Sequence, residues 1–540
     1  MHVPAESPDH RSPLTPLHTR PAQHDVYALA HHLARRFRAR YVVDVGCLRP
    51  KALTALSRDV EVIGVTLGAA VPPSRPGAPF TRVIPLDLAT VGGLPLPHGI
   101  VSEAIVVCTD TIGRAAHADR LLDVLGSAAS VARAVIVSAP RRDAARRPDA
   151  APPGGDADGW SLDDLRARCE QRGLPVLFAG LAVGDDPDLR RNTVLLILDK
   201  SAGSLHQPAP ADFRMLSIIT AYNEADIIEQ VVRSTLSEGS AVWVDDNWSS
   251  DGTFEILKSL GPALAGLERF PPDGPADQFQ LHAQLRRKEE IAARFPGAWI
   301  VNQDADELRC SPWPGVRLRD ALAFVDRCGF NCVDFTVLDF RPTDDAFDGT
   351  QDLEACVPLF EFGRRPGHFE QQRAWRQPRT PVNLADSGGH VVEFDGKAVY
   401  PYKFLLKHYP IRSQRQAEAK VFRDRKPRFA EEQSRRGWHG QYEGLEPGAR
   451  FLWSPTTLLE YRPGAFESTY LVERLSGIGA QRVMEQLEYD NAPPGLQARV
   501  DALTRELAEC GQKLASLEAH PYVRLGRWVQ RLLHRLRPWP

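Results

Sequence analysis

No run of 18 apolar residues occurs anywhere in the chain, so no segment is long enough to cross a bilayer as a helix. An excess of one charge is missing too. Lys and Arg total 66 against 69 Asp and Glu, a formal net charge of -3, which excludes the global basic field of a nucleic-acid binder. The eight cysteines, at 47, 108, 169, 310, 328, 332, 356 and 510, include no C-x-x-C pair. Neither a zinc knuckle nor a redox dithiol is written in the sequence, and reduced thiols of a cytoplasmic protein are expected. Residues 1–24 lack the apolar stretch of a secretory signal. Their Pro, His and Ser content predicts a disordered leader.

What is present is enough chain for several cores, and 540 residues predict two or three domains. Residues 25–199 alternate helical and strand patterns. Val26, Leu29, Leu33 and Phe37 fall at helical spacing, and short apolar runs follow at 41–45, 60–65, 104–108, 134–137 and 194–198. With a helical stretch at 161–172, this βαβ alternation predicts a doubly wound parallel sheet. The Pro/Ala/Gly/Asp tract 141–158 is expected as a long surface loop.

The first strand and its loop read VVDVGCLRPKAL at 42–53, and a later stretch reads GWSLDDLRARCEQRGLPVLFAG at 159–180. Together they resemble a class I S-adenosylmethionine-dependent methyltransferase. The resemblance implies a D-x-G-x-G-x-G loop, then an acid at the end of the second strand for the cofactor ribose. Asp44 and Gly46 are in place, but Leu48 and Pro50 stand where the next glycines belong, and Thr66 stands where the acid belongs. Glycines are needed there because backbone must approach the cofactor closely. The departures predict a degenerate domain kept for packing or partner binding. S-adenosylmethionine (SAM) is a cofactor only on the rival, bifunctional reading.

Residues 200–212, KSAGSLHQPAPAD, read as a linker, and a second domain is expected over 213–475. It opens with the apolar strand MLSIITA at 215–221, followed by Tyr222, Asn223 and Glu224. A helix then shows Ile227, Ile228, Val231, Val232 and Leu236 on one face. A strand at 241–244 ends in Asp245 and Asp246, and the turn SSDGT precedes a helix, where Asp251–Thr253 also reads as ordinary turn-and-cap chemistry. Acids at strand ends suit ribose hydroxyls and a base N–H. Further on, 301–308 reads VNQDADEL, a strand running into Asp304, Asp306 and Glu307. Asp304 and Asp306 are two apart and can converge, and carboxylates suit a hard cation such as Mg²⁺. Alone, such a D-x-D is an ordinary solvated acidic loop.

In combination, AYNE at 221–224, VDDNWSSDGT at 244–253 and DADE at 304–307 resemble a family 2 glycosyltransferase of GT-A fold. The resemblance implies a nucleotide diphosphate sugar donor, Mn²⁺ or Mg²⁺, and inversion at the anomeric carbon. Carried over by position, Ala221, Tyr222 and Glu224 would line the nucleotide pocket, and Asp245 or Asp246 would meet the base or ribose. Asp304 and Asp306 would be the D-x-D pair, with Asp306 the direct metal ligand. Arg286, Arg287 and Lys288 would meet the diphosphate, or else form a solvated helix face. The stretches at 340–345, 367–375, 388–390, 400–413 and 436–443 resemble an acceptor half, for a glycan or lipid-linked hydroxyl. A downstream histidine would complete the metal site, His408 first and His390 second, against the ordinary reading of each as a structural histidine. Glu370 and Asp345 are the candidates for the general base that inversion needs. Trp375, Trp438 and Tyr442 would either stack on a sugar or pack in the core.

Residues 476–540 are expected as a helical tail. Leu496, Val500, Leu503, Leu507, Cys510, Leu514 and Leu517 follow an a/d spacing over roughly three heptads, so a short coiled coil and a homo-oligomer are expected. Past 521, Arg524, Arg527, Arg531 and Arg535 oppose Leu525, Val529, Leu532, Leu533 and Leu536. This basic amphipathic pattern fits peripheral contact with the inner face of a membrane, or a docking helix for a partner. The chain is therefore expected to be α/β, with two Rossmann-like domains and a helical tail. Its rivals are a bifunctional enzyme and a non-catalytic glycan- or partner-binding scaffold.

Overall fold

A computed structural model describes residues 25–46, 60–68, 80–109, 111–112, 118–141, 160–182, 193–363, 366–368, 370–428 and 445–461. The leader, Leu48, Pro50, most of the 141–158 tract, Trp438, Tyr442 and the tail with its coiled-coil and amphipathic patterns lie outside the described residues.

The architecture is α/β, with three sheets. The first holds β1 (Tyr41–Val45), β2 (Glu61–Leu67), β3 (Arg82–Leu86), β4 (Ala104–Thr109), β5 (Ala134–Pro140), β6 (Val176–Ala182) and β7 (Thr193–Leu198). Their order is β3-β2-β1-β4-β5-β7-β6. The first five pair in parallel, and β7 runs antiparallel to both β5 and β6. Every residue of β4 and β7 is buried. This explains why these strands read as unbroken apolar runs rather than alternating ones. The helix Asp25–Phe37 buries Val26, Leu29 and Leu33, the positions its spacing predicts.

The second sheet contains β8 (Met215–Ala221), β9 (Ala241–Asp246), β10 (Gly266–Arg269), β11 (Trp299–Asp304), β13 (Cys332–Val333) and β16 (Ala374–Arg376), in the order β10-β9-β8-β11-β16-β13. The third contains β12 (Glu307–Cys310), β14 (Phe335–Phe340), β15 (Leu359–Phe362), β17 (Phe404–His408) and β18 (Leu459–Glu460), in the order β12-β17-β14-β15-β18. From β8 the chain steps outward to β9 and β10, then returns to place β11 on the other side of β8, all in parallel. The crevice between the carboxyl ends of β8 and β11 is thus a topological switch point, where open α/β sheets bind ligands. In the first sheet the same reversal occurs between β1 and β4.

The connection 200–212 is pinned in place. Lys200–Ser204 forms a 3₁₀ turn capped by the Asp199 side chain. Arg327 donates to the Ser204 carbonyl at 3.0 Å, and Asp320 accepts from the Ala209 N–H at 2.9 Å. The N-terminal sheet and the second region share one apolar core, running from Val26, Leu29 and Phe178 to Trp313, Phe324 and Tyr402. Phe178 stacks on Trp313 with centroids 5.3 Å apart, and the Trp313 indole N–H donates to the Leu177 carbonyl. Phe37 lies edge-on to Phe330 and Tyr402, and His32 hydrogen-bonds the Pro401 carbonyl at 2.6 Å. The described residues all fall in one compact unit. Among the described residues, no helix is long and apolar enough to cross a membrane.

Candidate functional site

The loop after β8 is built by hydrogen bonds to the loop after β9. Asn223 takes a positive φ of 54°, which turns the chain sharply. Its backbone N–H donates to Ser249 Oγ, and its side-chain oxygen accepts from the Ser250 N–H. The Glu224 N–H donates to Thr253 Oγ1, and the Ala225 N–H to Asp251. The sequence AYNE and the turn SSDGT therefore form one rigid lip of the crevice.

The other lip is set by pairing between β12 and β17, which places Glu307 opposite His408. The Tyr409 N–H donates to the Asp306 carbonyl at 2.8 Å. This register brings the Asp306 side chain against His408, with Oδ1 and Nε2 3.9 Å apart. Behind the ring, His408 Nδ1 donates to Asp339 Oδ1 at 2.6 Å, because β14 and β17 pair Asp339 with His408. Burial opposes protonation of His408, but the Asp339 hydrogen bond and the Asp306 charge outweigh it and raise the pKa. Burial likewise pushes Asp306 up, while Lys420 and His408 pull harder and hold it at about 2.

A third element closes the crevice from above, residues 414–428, which include a π-helical stretch Ala419–Arg425. From it Lys420 Nζ reaches Glu224 Oε1 at 2.7 Å and Asp306 Oδ2 at 2.8 Å, bridging the two lips. The fully buried Arg412 holds Glu224 at 2.7 Å and both oxygens of Asp226 at 2.8 Å. Asn223 donates to Asp424, and Arg428 donates to Asn247 while its guanidinium covers the Tyr222 ring at 4.1 Å.

Several expectations require correction. Glu224, expected at the nucleotide pocket, faces two cations. It is buried, and its two oxygens are taken by Lys420 and Arg412. Asp304, Asp306 and His408 do not converge on one ion, and among the described residues no group of three or more His, Cys, Asp or Glu side chains could hold a metal. Asp304 is drawn away by Arg373 at 2.9 Å and Lys288 at 3.6 Å. Arg286 faces outward, paired with Glu289 and Asp386. Lys288, from the same helix, is the buried cation, bound to Asn302 and the Gln303 carbonyl, and burial pulls its pKa down to about 8. Arg287 pairs with Glu268 and Glu290 and stands 3.9 Å from Asp245.

Other expected residues take these places. Ala221 is buried at the end of β8, beside Asp246 in register. Asp245 accepts from the Trp243 indole. Asp246 Oδ2 accepts from the Ser249 N–H, while its buried Oδ1 has no hydrogen-bond partner among the described residues. Burial raises both carboxyls. His390 hydrogen-bonds Gln371. Trp375 is fully buried, its N–H on Gln377. Glu370 is exposed beside Gln372, and Asp345 accepts weakly from the Arg415 N–H. The sequence argument missed Asp339, Arg373, Arg412 and Lys420. Arg412 lies within HYPIRS itself, and the signal for Lys420 was its place just after that stretch, where basic residues recur.

Among the described residues, the geometry offers a hard cation at most two facing donors. Such an ion takes one or two protein ligands and completes its shell with phosphate oxygens. Asp306 Oδ1 and His408 Nε2 offer those two, and the Asp339 carboxylate orients the imidazole as carboxylates do behind metal-bound histidines.

No family model matches the chain, and no curated protein matches it. Among solved structures, the chain is similar to a SAM-dependent methyltransferase from Aquifex aeolicus, at 12% identity over 33% of this chain and 89% of that one, with a TM-score of 0.24. It is also similar to residues 1–349 of S. aureus TarS, at 14% identity over 36% of this chain and 60% of that one, with a TM-score of 0.23. The same TarS fragment in complex with UDP matches at 16% identity over 30% of this chain and 47% of that one, with a TM-score of 0.19. Scores this low carry no functional information.

Proposed function

We propose that the chain is a metal-dependent glycosyltransferase that moves a sugar from a nucleotide diphosphate sugar to an acceptor hydroxyl. The observation that carries this reading is the facing pair Asp306 and His408, backed by Asp339, at the switch point of the second sheet. Asp246 supports it from the neighbouring strand end, where its spare buried acceptor suits a base or ribose N–H or O–H.

Asp306 and His408 would hold Mn²⁺ or Mg²⁺, which supplies neutralisation of the negative charge on the departing nucleotide. Asp304 acts indirectly, locked by Arg373 and Lys288 so that the loop between β11 and β12 keeps its shape. The Arg412 bridge to Glu224 and Asp226 fixes the opposite lip. Inversion needs a carboxylate base on the acceptor side. Asp345 is the better candidate, because its neighbour Arg415 belongs to the segment that carries Lys420. A glycan or lipid-linked alcohol is the acceptor class in this reading.

Residues 25–199 have a structural part in the proposal. A Cβ at Gly46 would lie 2.0 Å from Thr111 Oγ1, so the glycine admits a neighbouring side chain at the β1/β4 crevice. Heat released on titration with S-adenosylmethionine would instead favour the bifunctional enzyme.

The test is a screen of UDP-, GDP- and dTDP-sugars for binding and hydrolysis by the full chain, with Mn²⁺ or Mg²⁺, beside Asp306→Ala. Metal-dependent binding that disappears in the variant is expected. If no donor binds with either metal and the variant behaves like the parent, the reading fails and the non-catalytic scaffold takes its place.

A further inference from the structure

We propose that Lys420 is the side chain that receives the diphosphate of the donor, and that residues 414–428 are the element that delivers it. This rests on the glycosyl-transfer reading and adds a residue to it that the family motifs did not supply.

Position is the first argument. Lys420 Nζ lies between Glu224, just past the end of β8, and Asp306, just past the end of β11. These are the two walls of the switch-point crevice, where a nucleotide's phosphates sit in open α/β sheets. The carrying segment is tied, on the C-terminal side of Lys420, to the loops after β8 and β9. Asn223 binds Asp424 at 3.0 Å, and Arg428 binds Asn247 at 2.9 Å, while the Arg428 carbonyl accepts from the Phe279 N–H. The ammonium is therefore placed by the same loops that would hold the nucleoside.

Charge is the second argument. Glu224 has more cations than it can use. Arg412 already neutralises it at 2.7 Å, and Arg425 stands at 3.6 Å. Lys420 can leave Glu224 without stranding a buried carboxylate. Its other partner, Asp306, would be shared with the divalent cation. A diphosphate oxygen then becomes the natural partner for the ammonium, a compact charge on a flexible stem that binds phosphate as a point charge.

The alternatives are the third argument. Arg286 is turned outward onto Glu289 and Asp386. Lys288 is held by Asn302 and the Gln303 carbonyl at the end of β11. Arg373 is committed to Asp304 and Glu307. Lys420 is also carried on a π-helical stretch, a rare geometry that recurs at functional sites.

The experiment compares a nucleoside diphosphate with the monophosphate of the same base. Calorimetric titration of the full chain with Mn²⁺ present would use UDP against UMP and GDP against GMP. The parent, Lys420→Met and Lys420→Arg are compared. Lys420→Met is expected to weaken the diphosphate by at least ~10-fold and to leave the monophosphate nearly unchanged, as loss of one charge-assisted contact implies. Lys420→Arg is expected to keep most of the preference. If Lys420→Met alone does not fold, the paired variant E224Q/K420M removes one charge of each sign and carries the same comparison. An unchanged ratio of diphosphate to monophosphate affinity, in a folded variant, overturns the assignment and leaves glycosyl transfer standing. If the parent binds none of the four nucleotides, the comparison is repeated with dTDP against dTMP, and binding of none of the six overturns glycosyl transfer and the role of Lys420 with it.

Discussion

Lys420 Nζ stands 2.8 Å from Asp306 Oδ2, and this contact joins the D-x-D loop to residues 414–428, about a hundred residues further along the chain. With Glu224 at 2.7 Å on the other side, the ammonium closes a carboxylate–ammonium–carboxylate bridge across the crevice. The site is therefore a charge network, and its behaviour follows from which members are buried and which are shared.

Asp339 orients His408 without reaching the other side of the ring. Asp339→Asn is expected to weaken Mn²⁺ binding by ~10–100-fold, the usual effect of losing the carboxylate behind a metal-bound histidine. Titration of Mn²⁺ in the presence of nucleotide, followed by electron paramagnetic resonance, measures it. Unchanged affinity would remove His408 from the metal site.

Arg412 is fully buried among Glu224, Asp226 and the Tyr409 carbonyl. Arg412→Met leaves two carboxylates with less compensation and is expected to destabilise the fold by ~3–5 kcal/mol. Arg286→Ala removes only contacts made by an exposed guanidinium, leaves Glu289 its Leu384 and Ala385 N–H donors, and is expected to cost under ~1 kcal/mol. Urea unfolding of the two variants side by side checks the contrast, and equal midpoints would contradict it.

Asp44 is buried at the end of β1, and burial lifts its pKa to about 7 from the usual 3.8, against the opposing Tyr27 hydroxyl hydrogen bond. A raised carboxyl favours the fold below the unfolded value, and that advantage is lost as pH rises through about 7. The gap amounts to roughly 4 kcal/mol at most. Asp44→Asn is expected to melt higher than the parent at pH 8 and level with it at pH 4. A pH-independent difference in melting temperature would refute this.

Phe178 and Trp313 join the two halves of the chain. Phe178→Ala is expected to cost ~3–5 kcal/mol, as for other buried aromatic truncations. Residues 200–540 expressed alone would expose Trp313, Tyr402 and Phe330 and are expected to aggregate. A monodisperse, cooperatively melting fragment would show that the halves fold independently.

Much of the framework was legible in the sequence, because burial imposes a period. The apolar runs at 41–45, 104–108 and 215–221 are strands, and the helix Asp25–Phe37 buries its spaced positions. Such patterns depend on neighbours a few residues away. A strand such as Arg82–Leu86, with Arg82 exposed and a proline inside, breaks the pattern and escaped notice.

The partner of a charge was not legible. Sequence spacing placed Arg286, Arg287 and Lys288 on one helix but could not say that Arg286 points to solvent and Lys288 lies buried beside Asp304. It offered His408 first and His390 second, on the same imidazole chemistry. The β12–β17 register put His408 against Asp306, and His390 went to Gln371. It separated residues 25–199 from 213–475 at a Ser/Pro/Ala-rich stretch, where a shared aromatic core joins them.

By itself, then, the sequence determined the α/β class, several of the strands and the acids at their ends. Local periodicity fixes which face a residue buries. Only the tertiary structure decided that Asp304 belongs to Arg373, that Asp306 is shared by His408 and Lys420, and that Glu224 is a buried bridge. The reason is electrostatic. The interaction of two charges depends on their separation in space and on the solvent between them, and neither is set until distant strand ends are brought together.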